Sequence, residues 1–151
     1  MASWDEFTEA APDLAARVEA RFRDHRHHTM ATVRGDGSPR LSGTEVDFGD
    51  GQLRIGMMPG TRRAGDLRRD PRLAIHAQNV DPPEGDDAGW VGEAKLAGIA
   101  RPVEMWVEEM EGDAFAVDLA EVVFTGIGPG GDHLVIERWT PADGVDRVER
   151  Y

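Results

Sequence analysis

The chain has 151 residues, 40% of them hydrophobic and 30% charged, and a formal net charge of −12 at pH 7. That length fits one domain with a real core, and so acidic a chain excludes nucleic acid as a main partner, because phosphate backbones are gripped by basic faces. The absence of cysteine excludes disulfides, thiolate metal sites and cysteine nucleophiles.

The first residues, MASWDEFTEAAP, are acidic and lack the apolar stretch of a secretory leader. No apolar run approaches the length of a membrane span. The expected location is therefore cytoplasmic, with no membrane partner. Ser3 and Glu6 have the spacing of a capping box, which predicts a helix starting near Trp4. Pro12 either breaks that helix or opens a second one at its first position. Leu14, Val18 and Phe22 then recur at helical spacing, so Pro12–Arg23 reads as an amphipathic helix lying over a sheet. His25, His27 and His28 follow; histidines in a loop with no Cys or carboxylate partner read as solvated rather than as a metal site.

Thr29–Val33 is rich in β-formers and runs into Arg34-Gly35-Asp36-Gly37, a hairpin turn. Pro39–Phe48 is the expected return strand. Gly49-Asp50-Gly51 turns again into Leu53–Met57. Three strands joined by tight turns predict an antiparallel meander. Pro59-Gly60 marks a further turn. Thr61 is placed to cap a short helix, with Arg62, Arg63, Ala64 and Leu67 behind it. Pro71 pushes Asp70 out of the helical region and ends it. Arg72–His76 resumes as a strand.

This strand, turn and helix form the most informative stretch. The first turn of a helix leaves backbone N–H groups free, and its dipole favours an anion. Arg62–Arg72 carries five arginines against Asp66 and Asp70, a local charge of +3 in an acidic chain. Arg62 and Arg63 fall in the first turn, where forked donors suit a phosphate. The competing reading is a solvated helix whose arginines pair with surface carboxylates.

Beyond it, Val80–Gly89 is an acidic, Pro- and Gly-containing surface loop. Trp90–Ala100 reads as a long strand ended by Arg101-Pro102, with Gly92 and Gly98 at bulges or bends. Val103–Gly112, with four glutamates among Met105, Trp106 and Met110, reads as a short surface helix. Asp113–Thr125 and His133–Thr140 are the last strands. The glycine-rich Gly126–Gly131 between them is a hairpin loop, since a dinucleotide loop needs a helix after it. No serine elbow, hydrolytic metal spacing or calcium loop is present. The chemistry left is that of a bound cofactor, which the protein would hold and orient.

Three pieces together resemble the pyridoxamine 5'-phosphate oxidase-like family of flavin-binding split β-barrels: T-M-A-T-V-R-x-D-G-S-P-R from Thr29, G-T-R-R-A from Gly60, and L-R-R-D-P-R-L-A from Leu67. The likeness runs from about Thr29 to Ala100 and returns at Val135–Arg150. It implies a mainly β fold with flanking helices, a six- to seven-stranded antiparallel split barrel. The single domain would divide into a helical segment over 1–24, the barrel over 29–140 and a tail over 141–151.

The resemblance also implies a site. Thr61, Arg62 and Arg63 would bind the phosphate of FMN. Met30, Thr32 and Arg34 of the first strand, with Met57 and Met58, would flank the isoalloxazine. Trp139 and, with a gap of two residues, Arg147 match a tail Trp and Arg that reach the flavin. A position near Glu93 matches a flavin-contacting glutamine of the oxidases, and glutamate there is a departure. Gly144-Val145-Asp146 replaces the oxidases' substrate-binding Arg-Leu-His, which argues against pyridoxamine phosphate as substrate. The implied protein is a homodimer with the cofactor at its interface, acting as an FMN-dependent oxidoreductase on a small molecule. A deazaflavin (F-420) reductase, a non-catalytic flavin or haem carrier or sensor, and a cofactor-free interaction module stay open as alternatives.

Overall fold

Two short helices open the chain in the computed structural model, which describes Met1–Tyr151. Ser3 accepts from the Glu6 amide while Glu6 reaches back to the Ser3 amide, closing the capping box of α1 (Trp4–Ala10). Pro12 does not break a helix; it starts α2 (Pro12–Arg23) at the position where its missing N–H costs nothing. Trp4 and Phe7 of α1 and Leu14, Val18 and Phe22 of α2 are buried in the main core, against the sheet. No helix is long and apolar enough to cross a membrane.

The sheet has nine strands: β1 (His28–Val33), β2 (Pro39–Thr44), β3 (Asp47–Gly49), β4 (Gln52–Met57), β5 (Arg72–His76), β6 (Glu93–Val103), β7 (Asp113–Ile127), β8 (Leu134–Thr140) and β9 (Gly144–Arg150). A third helix, α3 (Arg62–Arg69), joins β4 to β5. All strand pairs are antiparallel, in the order β2-β1-β5-β6-β7-β4-β3, with β8 and β9 continuing outward from β7. The mainly antiparallel architecture with flanking helices is as expected. The strand count is higher than six or seven for two reasons: the return strand divides, and the tail pairs along β8.

That division corrects the expected meander. Pro39–Phe48 is not one strand. β2 pairs with β1, and after Glu45-Val46 the chain continues as β3, which pairs with β4. β2 and β3 lie at the two ends of the hydrogen-bonded path yet are neighbours in sequence. Two residues can join them only if the sheet curls until its edges approach, leaving a seam where β2 faces β4 without a ladder. Turn residues mark where strands end but not which strand pairs with which, so this closure was not readable locally.

Two other expectations change. β6 runs through Pro102 to Val103 because β5 stops pairing at Ile99; past that point β6 has one partner, and a missing N–H on the open side is tolerated. Val103–Gly112 forms no helix. Residues 104–112 are a loop whose Trp106 ring lies 4.5 Å from the Arg54 guanidinium, so its apolar residues cover β4 rather than a helix stripe. Gly98 does mark a shift of register between β6 and β7, where a Cβ would overlap the Asp118 carbonyl oxygen.

His28 is structural. Its Nε2–H donates to the Phe22 carbonyl at 3.0 Å, and its Nδ1 accepts from the Gln78 amide at 3.0 Å. Burial pushes its pKa below the ordinary imidazole value, so it stays neutral and ties the end of α2 to the sheet.

Candidate cofactor-binding site

Gly60, with φ at +75°, turns the chain out of β4 and into α3. Thr61 adopts an extended conformation and accepts from the Ala64 amide at 3.3 Å, as a cap should. One cap occupies one donor, so amides of the first turn remain free.

The arginines of this stretch divide into two groups. Arg68 donates to Asp113, Arg72 to Asp70, and Arg69 to Asp66 and the Val33 carbonyl. Arg62 and Arg63 enter no ion pair. Arg62 is exposed. Arg63 is partly buried, and its Nε is a buried donor with no acceptor. Such a donor costs free energy until an acceptor arrives.

Asp66 is the buried carboxylate of this stretch. It sits buried on the inner side of α3 and accepts from Thr32 at 2.7 Å, Arg40 at 2.6 Å and Arg69 at 3.0 Å. Burial works against its ionisation, but the hydrogen bonds from Arg40, Thr32 and Arg69 prevail and hold its pKa down to about 2. Asp66 thus pairs with Arg40 and Arg69, Asp113 with Arg68 and Asp70 with Arg72, and Arg62 and Arg63 at the helix start are left without an ion pair.

Arg63 stands at one side of a groove of about 600 Å³, within the range of cofactor and ligand pockets. The groove opens at the seam between β2 and β4. The end of β4, with Met57, Met58 and Pro59, lines it beside Val46 of the β2–β3 crossing and Met105, Trp106 and Met110 of the 104–112 loop. Gly56 lets that loop close down, because a side chain there would press on Met105 and Trp106 at 3.3 Å. Of the three wall carboxylates, Glu45 pairs with Arg26 at 2.8 Å and Asp47 with Arg54 at 2.6 Å, while Glu111 enters no ion pair. An unpartnered cation beside an apolar trough suits an amphipathic anion with a flat body.

No family profile matches the sequence, and no curated protein is similar to it. Solved structures are. PhzG from Burkholderia lata, in complex with tetrahydrophenazine-1-carboxylic acid, shares 11% identity and a TM-score of 0.64 over 96% of this chain and 91% of that one. A pyridoxamine 5'-phosphate oxidase-related, FMN binding protein from Nostoc punctiforme shares 11% identity and a TM-score of 0.63 over 93% and 96% of the two chains. A heme binding protein from Mycobacterium smegmatis shares 14% identity and a TM-score of 0.56 over 89% and 87%. The fold is the pyridoxamine 5'-phosphate oxidase-like split barrel.

Within this split barrel the expected site residues fall into three places. Met57, Met58 and Arg63 line the groove, with Thr61 and Arg62 beside them at the start of α3. Met30, Thr32 and Trp139 face inward and are buried. Strand alternation turns Met30 and Thr32 into the core, where Met30 is fully buried and Thr32 is bound to Asp66. Trp139 packs 4.7 Å from Phe7 and is buried under α1. Arg34 is exposed and donates to the Pro39 carbonyl within its own hairpin. Arg147 lines a different cavity. Glu93 is 3.5 Å from His76. The sequence reading missed Asp66, Arg40 and Trp106. A buried Asp inside an arginine-rich helix looks like ordinary charge balance, and only the fold reveals what it holds.

Proposed function

We propose that this split barrel binds FMN and works as an oxidoreductase on a small molecule. The observation that carries the reading is the buried, unpartnered Nε of Arg63 beside an apolar groove at the start of α3. Arg62, Arg63 and the free amides of that first turn hold the phosphate. Met57, Met58 and Trp106 shield the ring system from water. Bound FMN supplies the hydride chemistry, and the protein supplies its position and a dry face. The likeness to FMN-binding split barrels supports the same reading.

The deazaflavin alternative has less support, because its longer acidic tail would need Arg68, Arg69 and Arg72, all engaged by carboxylates. The protein is proposed to be a homodimer. Met58, Val107 and Met110 make an exposed apolar rim on the groove, with Met58 76% exposed, and a partner would cover it. Haem in the same groove is a second reading. It rests on His27, whose ring lines the cavity with Nε2 3.4 Å from Glu45, and on the fold's likeness to a heme binding protein.

An absorption spectrum of the purified protein, with titration of FMN, tests the assignment. Flavin bands that bleach with a hydride donor and return in air are the expected result. The Arg63→Ala variant is expected to weaken FMN binding by about 1.5–3 kcal/mol, the scale of a charged hydrogen bond. A Soret band selects haem. A colourless protein that ignores both cofactors overturns the proposal.

A further inference from the structure

The outermost strand, β9, pairs only with β8, so its other edge presents unpaired backbone N–H and C=O groups. Val145 to Arg150 are all exposed. Edge strands are commonly blunted by a proline, a bulge or charges that reject a second strand. β9 has no proline and keeps an unbroken register along β8. Its charges are of both signs. We propose that a second copy of this chain docks there, the two β9 edges pairing antiparallel about a two-fold axis at Val148. The surface is separate from the groove at Arg63, which no residue of β8 or β9 lines, and the proposal does not rest on the cofactor reading.

Charge complementarity selects the partner and the register. A two-fold axis that pairs a strand with its own copy stands normal to the sheet and passes through one residue pair, so the central residue faces itself. Each other residue faces the one equally far along on the opposite side. Centred on Asp146, Arg147, Glu149 or Arg150, the ladder sets a charge against its own copy. Centred on Val145, it runs Glu149 and Arg150 past the turn at 141–143. Centred on Val148, it sets Arg147 opposite Glu149 and Asp146 opposite Arg150, each twice, and every charge of the strand meets its opposite. Opposite charges directly across a ladder stabilise it, and like charges oppose it. The side chains are available for this. Asp146 and Arg150 enter no ion pair; Arg138, across the ladder from Asp146, is bound to Glu121 at 2.6 Å instead. Arg147 and Glu149 hold each other only at 3.5 Å, and His133 is 3.5 Å from Glu149. Val148 is 41% exposed beside Ile136, with Leu134 38% exposed next along β8, and the axis brings two such apolar strips together.

The chain has no cysteine, so a single introduced thiol reports the register. In Val148→Cys the two thiols face each other across the axis, with Cα atoms about 4.5–5.5 Å apart, inside the range a disulfide spans. In Val145→Cys, at a similarly exposed position, the Cα atoms would lie about 20 Å apart along the ladder. Mild oxidation of the full chain, read on a non-reducing gel, is expected to link Val148→Cys into dimers about tenfold faster than Val145→Cys. Adding Arg147→Glu to Val148→Cys sets like charges across both symmetric pairs and is expected to slow linking by about tenfold. Adding Glu149→Arg to that variant is expected to restore it. Met58→Asp, on the groove rim, is expected to leave the linking unchanged, which separates this interface from the one proposed at the groove. The assignment is overturned by equal rates for Val145→Cys and Val148→Cys, by a rate insensitive to Arg147→Glu, by no recovery with Glu149→Arg, or by loss of linking with Met58→Asp.

Discussion

Asp66 holds two of the arginines around α3. It accepts from Thr32, Arg40 and Arg69, and with Arg68 on Asp113 and Arg72 on Asp70 only Arg62 and Arg63 of this stretch enter no ion pair. Its folded pKa, about 2, lies below the value of about 3.9 expected in the unfolded chain. The sign follows directly: the stabilisation is complete above about pH 4 and is lost as the pH falls from there towards 2. Asp66→Asn is expected to cost about 1.5–3 kcal/mol at neutral pH, the scale of hydrogen bonds to charged groups. It should also flatten the acid limb of stability in that window. Thermal melts of both proteins between pH 2 and 7 check this; parallel acid limbs would remove Asp66 from the hub. His28 adds a second acid-sensitive contribution. Its depressed pKa makes the fold lose stability as the pH drops through the ordinary imidazole range.

At the scale of elements, two glycines illustrate how differently one residue type serves the fold. Gly98 sits at the bulge where β6 shifts against β7, and any Cβ meets the Asp118 carbonyl oxygen. Gly65 sits in α3 with open space around it. Gly98→Ala is expected to destabilise by about 1–3 kcal/mol through overpacking. Gly65→Ala is expected to stabilise by about 0.4–1 kcal/mol through helix propensity and a less flexible unfolded chain. Chemical denaturation of the two variants should give opposite signs; equal signs would refute the packing account. Local elements of this kind were largely legible in advance. The capping box at Ser3, the proline start of α2, the Thr61 cap and the stop at Asp70-Pro71 depend on chemistry within a few residues. The loop over 104–112 was not, because Met105 and Trp106 are apolar to suit β4, a surface distant in sequence.

At the scale of the molecule, the barrel closes through pairings that no local signal encodes. β7 carries the longest share, with β6, β4 and β8 all paired to it. Met30 and Thr32 alternate onto the buried face of β1, a face chosen by that closure. The packing of Trp139 against Phe7 of α1 joins residues far apart in sequence and was likewise not legible locally. The turn at Gly60, the Thr61 cap and the two arginines behind it were legible because they are adjacent in sequence. The proposal is that those groups grip a phosphoryl group. The direct measurement is the affinity of the wild-type protein for FMN against riboflavin, which has the same ring system without the phosphate. FMN is expected to bind about tenfold tighter or better, consistent with at least one charged hydrogen bond to the phosphate. Equal affinity for the two would contradict the account.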